Sequence, residues 1–374
     1  MNATMKYCVR CIMPESYPGV YFNDEGVCNY CIGYKSFHKP LGKERLLELL
    51  TSQPRTGKYD CVVPISGGKD STYILYYVVK KLGLKPIAVT YDSGFQSSIA
   101  LENARNACSV LNVPLIEVKS PKHIRTKMLK ESLLVSNKLG ALWHQCGNCE
   151  AILRNMSMSA AKTHETHFVI WGSSALESGD SKTYEWYKQS GSPHGISPVG
   201  ILRKAISKIR VLLNTPKRIY EIPRRVYSYV GYHAIKYYYY SISERLSLDF
   251  SYRYAFKPHA IPPFDGENPK FVHFFDYIDW DSINNLETLK REVNWKHPAG
   301  QDSRWDCAIH CLSNRESLKS YGISDDGKNY CNFIREHKVD REEAMKNEVH
   351  LRESVEPECE ELFQRIGFDD HKTP

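Results

Sequence analysis

Short apolar runs and helical apolar periodicity alternate along the first half of the chain. Helices are predicted over 40–55, 72–82 and 100–111, where apolar residues recur on one side. Four short runs rich in β-branched or aromatic residues are predicted to be buried strands: Cys61–Ile65, Pro86–Tyr91, Val113–Val118 and His167–Trp171. Strands that alternate with helices predict an α/β fold, a parallel sheet with helices on both faces.

The C-terminal part has a different pattern. Asp340 and the acidic residues that follow it are typical of a helix start, so we predict a mostly helical region there. These changes in pattern divide the chain into four predicted parts. They are a cysteine-rich module over 1–40, the α/β domain over 41–200, a basic tyrosine-rich insertion over 201–275 and the helical region over 276–374.

Composition narrows the class of protein. The 374 residues are 42% hydrophobic and 25% charged, which is typical of a soluble globular protein, and no stretch approaches the ~20 apolar residues of a membrane span. Cys8 and Cys11, close behind Met1, are unlike a signal peptide, so a cytoplasmic location is expected. Twelve cysteines in a reducing compartment favour metal ligation or catalysis over disulfides.

The positive charge is concentrated in one segment. The net charge is +7, yet residues 200–275 alone have an excess of eight positive charges, interleaved with tyrosines that include the run 237–240. Such a segment suits RNA, an anionic sugar nucleotide or an acidic partner protein. No RNA-binding signature accompanies it, so a solvated helical insertion is favoured and nucleic acid is not expected.

Two Cys-x-x-Cys pairs lie near the start of the chain. Cys8 and Cys11 form the first pair, Cys28 and Cys31 form the second, and sixteen residues separate the two. That spacing is typical of two knuckles that share one tetrahedral Zn²⁺. Because all four ligands are cysteine, no position remains for a reactive water, and a structural role is predicted.

A glycine turn, Ser66–Ser71, follows the first predicted strand and precedes a helix. Its two glycines let backbone N–H groups approach oxygen atoms, and the helix N-terminus favours negative charge. Hydroxyl groups of Ser66, Ser71 and Thr72 add donors, and Lys69 adds a positive charge. The glycine spacing differs from that of the usual nucleotide-triphosphate loop. The sequence therefore predicts a phosphate site of another kind.

Two further strand ends are predicted to lie beside this turn. Ligands bind beyond the carboxyl ends of parallel strands, where Asp92 follows the second strand and Gly172 the fourth. Ser66–Ser71, Asp92 and Gly172 are thus expected in one crevice as nucleotide-binding residues. Asp92 is equally well explained as a turn residue of Asp-Ser-Gly.

A second set of cysteines has several interpretations. Cys146 and Cys149 form another Cys-x-x-Cys pair, and Cys307 follows much later. They could ligate a second Zn²⁺ or an iron–sulfur cluster, act as a sulfur relay, or pack as buried apolar side chains. Metal or cluster ligation is favoured. Cys61 and Cys108 are expected in the core, and Cys359 has no assigned role.

The glycine turn matches the Ser-Gly-Gly-x-Asp-Ser signature of PP-loop ATP pyrophosphatases. Over most of its length the chain resembles the bacterial N-acetyl sugar amidotransferases of surface-polysaccharide biosynthesis, of the O-antigen or lipopolysaccharide type. The resemblance is carried by the knuckle cysteines, Ser66–Ser71, Tyr91–Gly94, Cys146–Cys149, Asp306–His310, Ile334–Arg335 and Arg341–Ala344. Where the family has an acidic residue and an amide after the fourth strand, this chain has Ser173 and Ser174.

The resemblance implies an adenine-nucleotide alpha-hydrolase-like domain over 41–200 that uses ATP and Mg²⁺. It implies an enzyme that converts the acetamido group of a nucleotide-linked sugar to an acetamidino group. Ammonia would come from glutaminase and cyclase-like partner subunits, and Lys69 and Asp70 would be catalytic. Two alternatives are a PP-loop tRNA thiolation enzyme and a non-catalytic scaffold that binds zinc and nucleotide.

Overall fold

The computed structural model describes residues 5–17, 19–34, 36, 39–120, 125, 126, 129, 130, 133, 145–172, 176, 269–297 and 306–369. Within 145–151 the only side chain described is that of Cys149. The predicted basic insertion lies outside the described residues as far as residue 268, and so do Ser173 and Ser174.

A five-stranded sheet forms the centre of the described structure. The strands are β1 (Cys61–Pro64), β2 (Pro86–Asp92), β3 (Leu115–Lys119), β4 (Phe168–Trp171) and β5 (Lys270–His273). They pair in the order β3-β2-β1-β4-β5, and every pair is parallel. The predicted α/β fold class and its four strands are confirmed. Strand β1 is central, with Val62 opposite Ile87 of β2 and Val169 of β4.

Strand β5 was missed by the sequence analysis, which assigned residues 270–275 to the basic insertion. The strand has four residues and lies at the edge of the sheet, where Phe271 pairs with Val169. Its sequence, Lys-Phe-Val-His, has only two consecutive apolar residues, which is too little pattern to predict a strand, and its conformation is decided by pairing with the neighbouring β4. The division into domains stays a prediction.

Helices cover both faces of the sheet. They are α2 (Lys43–Leu50), α3 (Lys69–Lys80), α4 (Ser98–Val110), α5 (Gln145–Thr163) and α6 (Ser282–Val293), whereas the short helix α1 (Asn29–Ile32) belongs to the N-terminal cysteine-rich module. On one face, Val63 of β1 packs in a core with Ile74 and Leu75 of α3. On the other face, Val62 packs with Ile152 of α5. Neighbouring residues of β1 thus point to opposite cores, which is why the strand reads as a continuous apolar run.

The C-terminal region is mostly helical in the described residues, as predicted, and three helices follow α6. They are α7 (His310–Tyr321), α8 (Asp325–Arg335) and α9 (Arg341–Ile366). The Asp340 side chain accepts hydrogen bonds from the backbone N–H groups of Glu342, at 2.7 Å, and Glu343, which confirms the predicted helix start. Helix α9 packs against both α7 and α8. Within the described part of the chain, no helix combines the length and apolar character needed to cross a bilayer.

The N-terminal cysteine-rich module packs against this helical region. Its four cysteines share a buried cluster with Ile323, Cys331 of α8 and Ala344 of α9. The module therefore contributes to the same folded unit as the C-terminal helices, although it is far from them in the sequence.

Candidate functional site

The glycine turn lies at the carboxyl edge of the sheet, at its topological switch point. Strand β1 lies between β2 and β4, and the chain turns in opposite directions from it to reach β3 and β5. Neighbouring strands are about 4.8 Å apart, so the ends of β2, β1 and β4 together span about 10 Å. The predicted nucleotide-binding residues lie at these three ends: Asp92, Ser66–Ser71 and Gly172. This edge is where α/β sheets bind ligands.

Hydrogen bonds within the turn fix its shape. The Ser71 hydroxyl lies 3.1 Å from both the backbone N and the Oγ of Ser66, and the N–H of Gly68 donates to Ser66 Oγ at 3.3 Å. The Thr72 hydroxyl donates to the Gly68 carbonyl at 2.8 Å and Thr72 is fully buried. The expectation that Thr72 offers a donor to a ligand is therefore wrong, because its hydroxyl stabilises the turn.

Gly67 has a conformation and a packing environment that exclude other residues. Its φ is +83°, and a Cβ at this position would lie 1.8 Å from the carbonyl oxygen of Ala100 in α4. Gly68 then caps α3 without any side-chain hydrogen bond. The turn therefore brings its backbone close to α4 and presents the positive end of the α3 dipole at the edge of the sheet.

Two tryptophans hold the turn from outside, and the sequence analysis missed both. Trp295 Nε1 donates to the Gly67 carbonyl at 2.9 Å, and Trp280 Nε1 donates to Asp70 Oδ1 at 3.1 Å. Lys69 Nζ lies 3.4 Å from the same Asp70 oxygen and 4.5 Å from the centre of the Trp280 ring. No local pattern marks these tryptophans, which follow the turn by more than 200 positions.

The segment that begins at Asp306 also reaches this edge. Its backbone pairs with the loop after β2: Ser97 N donates to the Asp306 carbonyl and Ala308 N to the Phe95 carbonyl, both at 2.9 Å. A Cβ at Gly68 would lie 3.5 Å from an Asp306 carboxylate oxygen. Asp306 therefore adds a second carboxylate beside the turn, a role that its place in the motif Asp306–His310 did not predict.

The other two predicted nucleotide-binding residues have local structural roles. Asp92 Oδ1 accepts a hydrogen bond from Gly94 N at 2.8 Å, which is the turn geometry expected for Asp-Ser-Gly. A Cβ at Gly172 would lie 3.0 Å from the Ile74 Cδ1 atom of α3. Both positions lie at strand ends on this edge of the sheet, and their contacts with a nucleotide stay predictions.

The four N-terminal cysteines have the geometry of a zinc site. All four Sγ atoms lie within 4.8 Å of one another, with Cys8 to Cys31 at 3.9 Å and Cys11 to Cys28 at 3.8 Å. Zinc about 2.3 Å from each sulfur of a tetrahedron sets sulfur pairs about 3.8 Å apart. Hydrogen bonding among the four thiols lowers the pKa of Cys8 and that of Cys28, the latter to about 6, and raises the pKa values of Cys11 and Cys31, so the sulfurs share protons that a bound metal would displace.

Two arginines from the C-terminal helices surround this cluster. Arg335 of α8 lies 3.4 Å from Cys31 Sγ through Nε and 3.5 Å from Cys11 Sγ through Nη2. Arg341 of α9 donates to the backbone carbonyls of Cys8 and Cys11, each at 3.0 Å. Four thiolates around Zn²⁺ carry a net charge of about −2, which two guanidinium groups can offset. The donor set therefore suits a structural zinc ion.

The second cysteine set is only partly described. Cys307 lies beside the loop after β2, paired with Gln96. Cys149 of α5 is half-buried, and the buried Arg125 donates to its Sγ at 3.0 Å. The side chain of Cys146 lies outside the described residues, so ligation by these three cysteines stays a prediction. Among the described residues, the N-terminal cysteines form the only group of three or more close metal-ligating side chains.

The remaining cysteines and His310 contribute to packing between elements of the fold. Cys61 and Cys108 are buried in the core, as predicted. Cys359, to which no role was assigned, is fully buried in the same apolar cluster as Cys311. The buried His310 Nε2 lies 3.0 Å from an oxygen of the partly buried Asp326, and this pair, which joins α7 to α8, was not predicted.

Comparisons with known proteins give limited matches. No family model matches the chain. An uncharacterised protein of Methanocaldococcus jannaschii is 29% identical over 100 residues, which are 26% of this chain and 36% of that relative's length.

Similar solved structures include three synthetases. NMN synthetase from Francisella tularensis has a TM-score of 0.27 and 24% identity, over 36% of this chain and 54% of that chain. NH3-dependent NAD synthetase from Campylobacter jejuni has a TM-score of 0.26 and 15% identity, over 47% of this chain and 85% of that chain. NAD+ synthetase from Burkholderia pseudomallei has a TM-score of 0.24 and 20% identity, over 41% and 77%. These TM-scores are below 0.5, so the fold assignment rests on the topology of the sheet.

Proposed function

We propose that the chain is an ATP-dependent amidotransferase that forms AMP and pyrophosphate. Its substrate would be a nucleotide-linked acetamido sugar, which it converts to the acetamidino sugar with ammonia from a partner glutaminase. The observation that carries the proposal is the turn Ser66–Ser71, which presents backbone N–H groups and a helix N-terminus at the switch point of a parallel sheet.

The chemistry requires activation of a poor electrophile. The oxygen of an amide does not leave as oxide, so ATP must first convert it into a phosphate ester. The acetamido oxygen attacks the α-phosphorus, a new C–O–P link forms, and pyrophosphate leaves. Ammonia then adds to the activated carbon, and AMP departs with the original oxygen and leaves the amidine.

The residues around the turn have distinct roles in this scheme. The turn binds the departing pyrophosphate through its N–H groups, and Lys69 offsets the charge that develops on it. Asp70 and Asp306 are the carboxylates beside the turn, so they are the residues that would hold Mg²⁺ with the phosphates. No protein nucleophile is required. The four N-terminal cysteines would bind zinc as a structural ion.

Mass spectrometry of the reaction products tests the proposal. The protein is incubated with ATP, Mg²⁺, an ammonium salt and a panel of nucleotide-linked acetamido sugars. Exchange of oxygen for NH lowers the sugar's mass by about one unit and adds a strongly basic group. We expect equal amounts of amidine, AMP and pyrophosphate from the correct sugar, and no turnover by the Ser66→Ala, Asp70→Ala double variant.

The same reaction distinguishes the alternatives. AMP formation that requires tRNA and a sulfur donor, with steep salt dependence of tRNA binding, would replace the sugar with RNA as the substrate. ATP binding without turnover under all of these conditions would favour the scaffold. Full activity of the double variant would exclude the turn as the reaction site.

A further inference from the structure

The indole of Trp280 contacts both charged side chains of the turn. Its Nε1–H donates to Asp70 Oδ1 at 3.1 Å, and Lys69 Nζ lies 4.5 Å from its ring centre. Trp280 is only 5% exposed, whereas the side chains of Lys69 and Asp70 are 20% and 26% exposed. A buried ring therefore supports two partly exposed charged groups of the turn.

We propose that Trp280 is a positioning residue that holds Lys69 and Asp70 in the orientation in which they meet the phosphates of ATP. This inference rests on the proposed function. A flexible lysine and a carboxylate that are ordered before binding lose less conformational entropy when the ligand arrives. The indole N–H also fixes one oxygen of Asp70, which sets the direction of the other.

Trp280 is held in turn by helix α8. Its ring stacks on Phe333, with ring centres 4.6 Å apart and planes 13° from parallel. Two residues further along α8, Arg335 contacts the sulfurs of Cys11 and Cys31 and donates to Asn332 Oδ1 at 2.8 Å. The indole therefore contacts the turn through Asp70 and Lys69, and it contacts helix α8 through Phe333.

The test compares Trp280→Phe with the wild type. Phenylalanine keeps an apolar ring against Phe333 and removes the N–H donor to Asp70. Because a hydrogen bond to a charged group is lost, we expect the affinity for Mg²⁺–ATP to fall about tenfold. Calorimetry in the absence of the sugar substrate measures the affinity for Mg²⁺–ATP. Release of pyrophosphate in the complete reaction measures turnover. Circular dichroism and thermal unfolding show whether each variant is folded.

A double-variant cycle separates positioning from general destabilisation. If Trp280 acts through Asp70, then Trp280→Phe in an Asp70→Ala background, which has no acceptor for the indole N–H, should change affinity by less than about twofold. If the two substitutions instead reduce the affinity for Mg²⁺–ATP by independent factors that multiply, the proposal is overturned. A second variant, Phe333→Leu, loosens the ring from behind without touching the turn. We expect a smaller loss of affinity from it, which also shrinks in the Asp70→Ala background.

The outcomes distinguish this inference from the proposed function. If the wild type binds Mg²⁺–ATP and folded Trp280→Phe binds it equally well with unchanged turnover, the positioning role is wrong and the proposed function stands. If the wild type does not bind Mg²⁺–ATP at all, both are overturned.

Discussion

Replacing Gly67 with alanine should disrupt the phosphate-binding turn through one backbone contact. The new Cβ would lie 1.8 Å from the Ala100 carbonyl oxygen, whereas real Cβ contacts are not shorter than 3.0 Å. The first turn of α4 or the glycine turn must therefore move by about 1.2 Å in a close-packed region. Such overpacking costs about 1–3 kcal/mol, and the positive φ costs about 1–2 kcal/mol more.

Gly94→Ala is the matched control for this prediction. Gly94 has a φ of +82°, almost that of Gly67 at +83°, and a Cβ there would meet nothing within 4 Å. Gly94→Ala therefore has the free-energy cost of a positive φ but no steric contact of the new Cβ. Urea unfolding should show a loss of about 2–5 kcal/mol for Gly67→Ala and about 1–2 kcal/mol for Gly94→Ala. Calorimetry should show Mg²⁺–ATP binding abolished by Gly67→Ala.

Equal losses of stability in the two variants would refute this reasoning, since the Ala100 contact would then carry no cost. Retained ATP affinity in a folded Gly67→Ala variant would separate the turn from the nucleotide site. The comparison therefore tests both the packing of the turn and its proposed role.

Two further predictions concern the four-cysteine cluster and a partly buried carboxylate, that of Asp276. Purified protein should contain about one zinc per chain by elemental analysis; Cys28→Ser should lose it and unfold more readily, while Cys108→Ser, in the core away from the cluster, should retain it. Burial raises the pKa of Asp276 to about 6, so the folded state favours the protonated carboxyl group. The stability of the folded protein therefore falls as the pH rises from about 4 to 6. Asp276→Asn should therefore be more stable than the wild type by about 1–2 kcal/mol at about pH 8 in urea unfolding, and the advantage should disappear by about pH 4. A constant difference across that range would contradict the assignment to Asp276.

The sheet was predictable where each element carries enough local pattern. Strands β1, β2 and β4 are buried on both faces and read as apolar runs bounded by turn residues. Helix α3 was predicted over 72–82 and is observed at Lys69–Lys80, because its start depends on the geometry of the turn and not on an apolar residue. Strand β5 was not predictable, since it has only two consecutive apolar residues and takes its conformation from pairing with β4.

The site was predictable only for residues whose chemistry is local in the sequence. The glycine turn and the two Cys-x-x-Cys pairs are recognisable from the spacing of residues within a short segment. In the structure, the four cysteines have the sulfur–sulfur distances of a tetrahedral site. Trp280, Trp295 and Asp306 carry no such signal. Each reaches the turn through folding of a segment more than 200 residues away.

These distant contacts explain why the turn needs the C-terminal region. A glycine turn has little intrinsic stability, since glycine loses more conformational entropy on folding than any other residue. Here the indole of Trp295 holds the Gly67 carbonyl and the indole of Trp280 holds the Asp70 carboxylate. An isolated α/β domain would lack both donors, and its turn would have to be ordered by the ligand. We therefore expect a chain that ends before residue 276 to bind Mg²⁺–ATP more weakly than the full chain, even if its sheet folds.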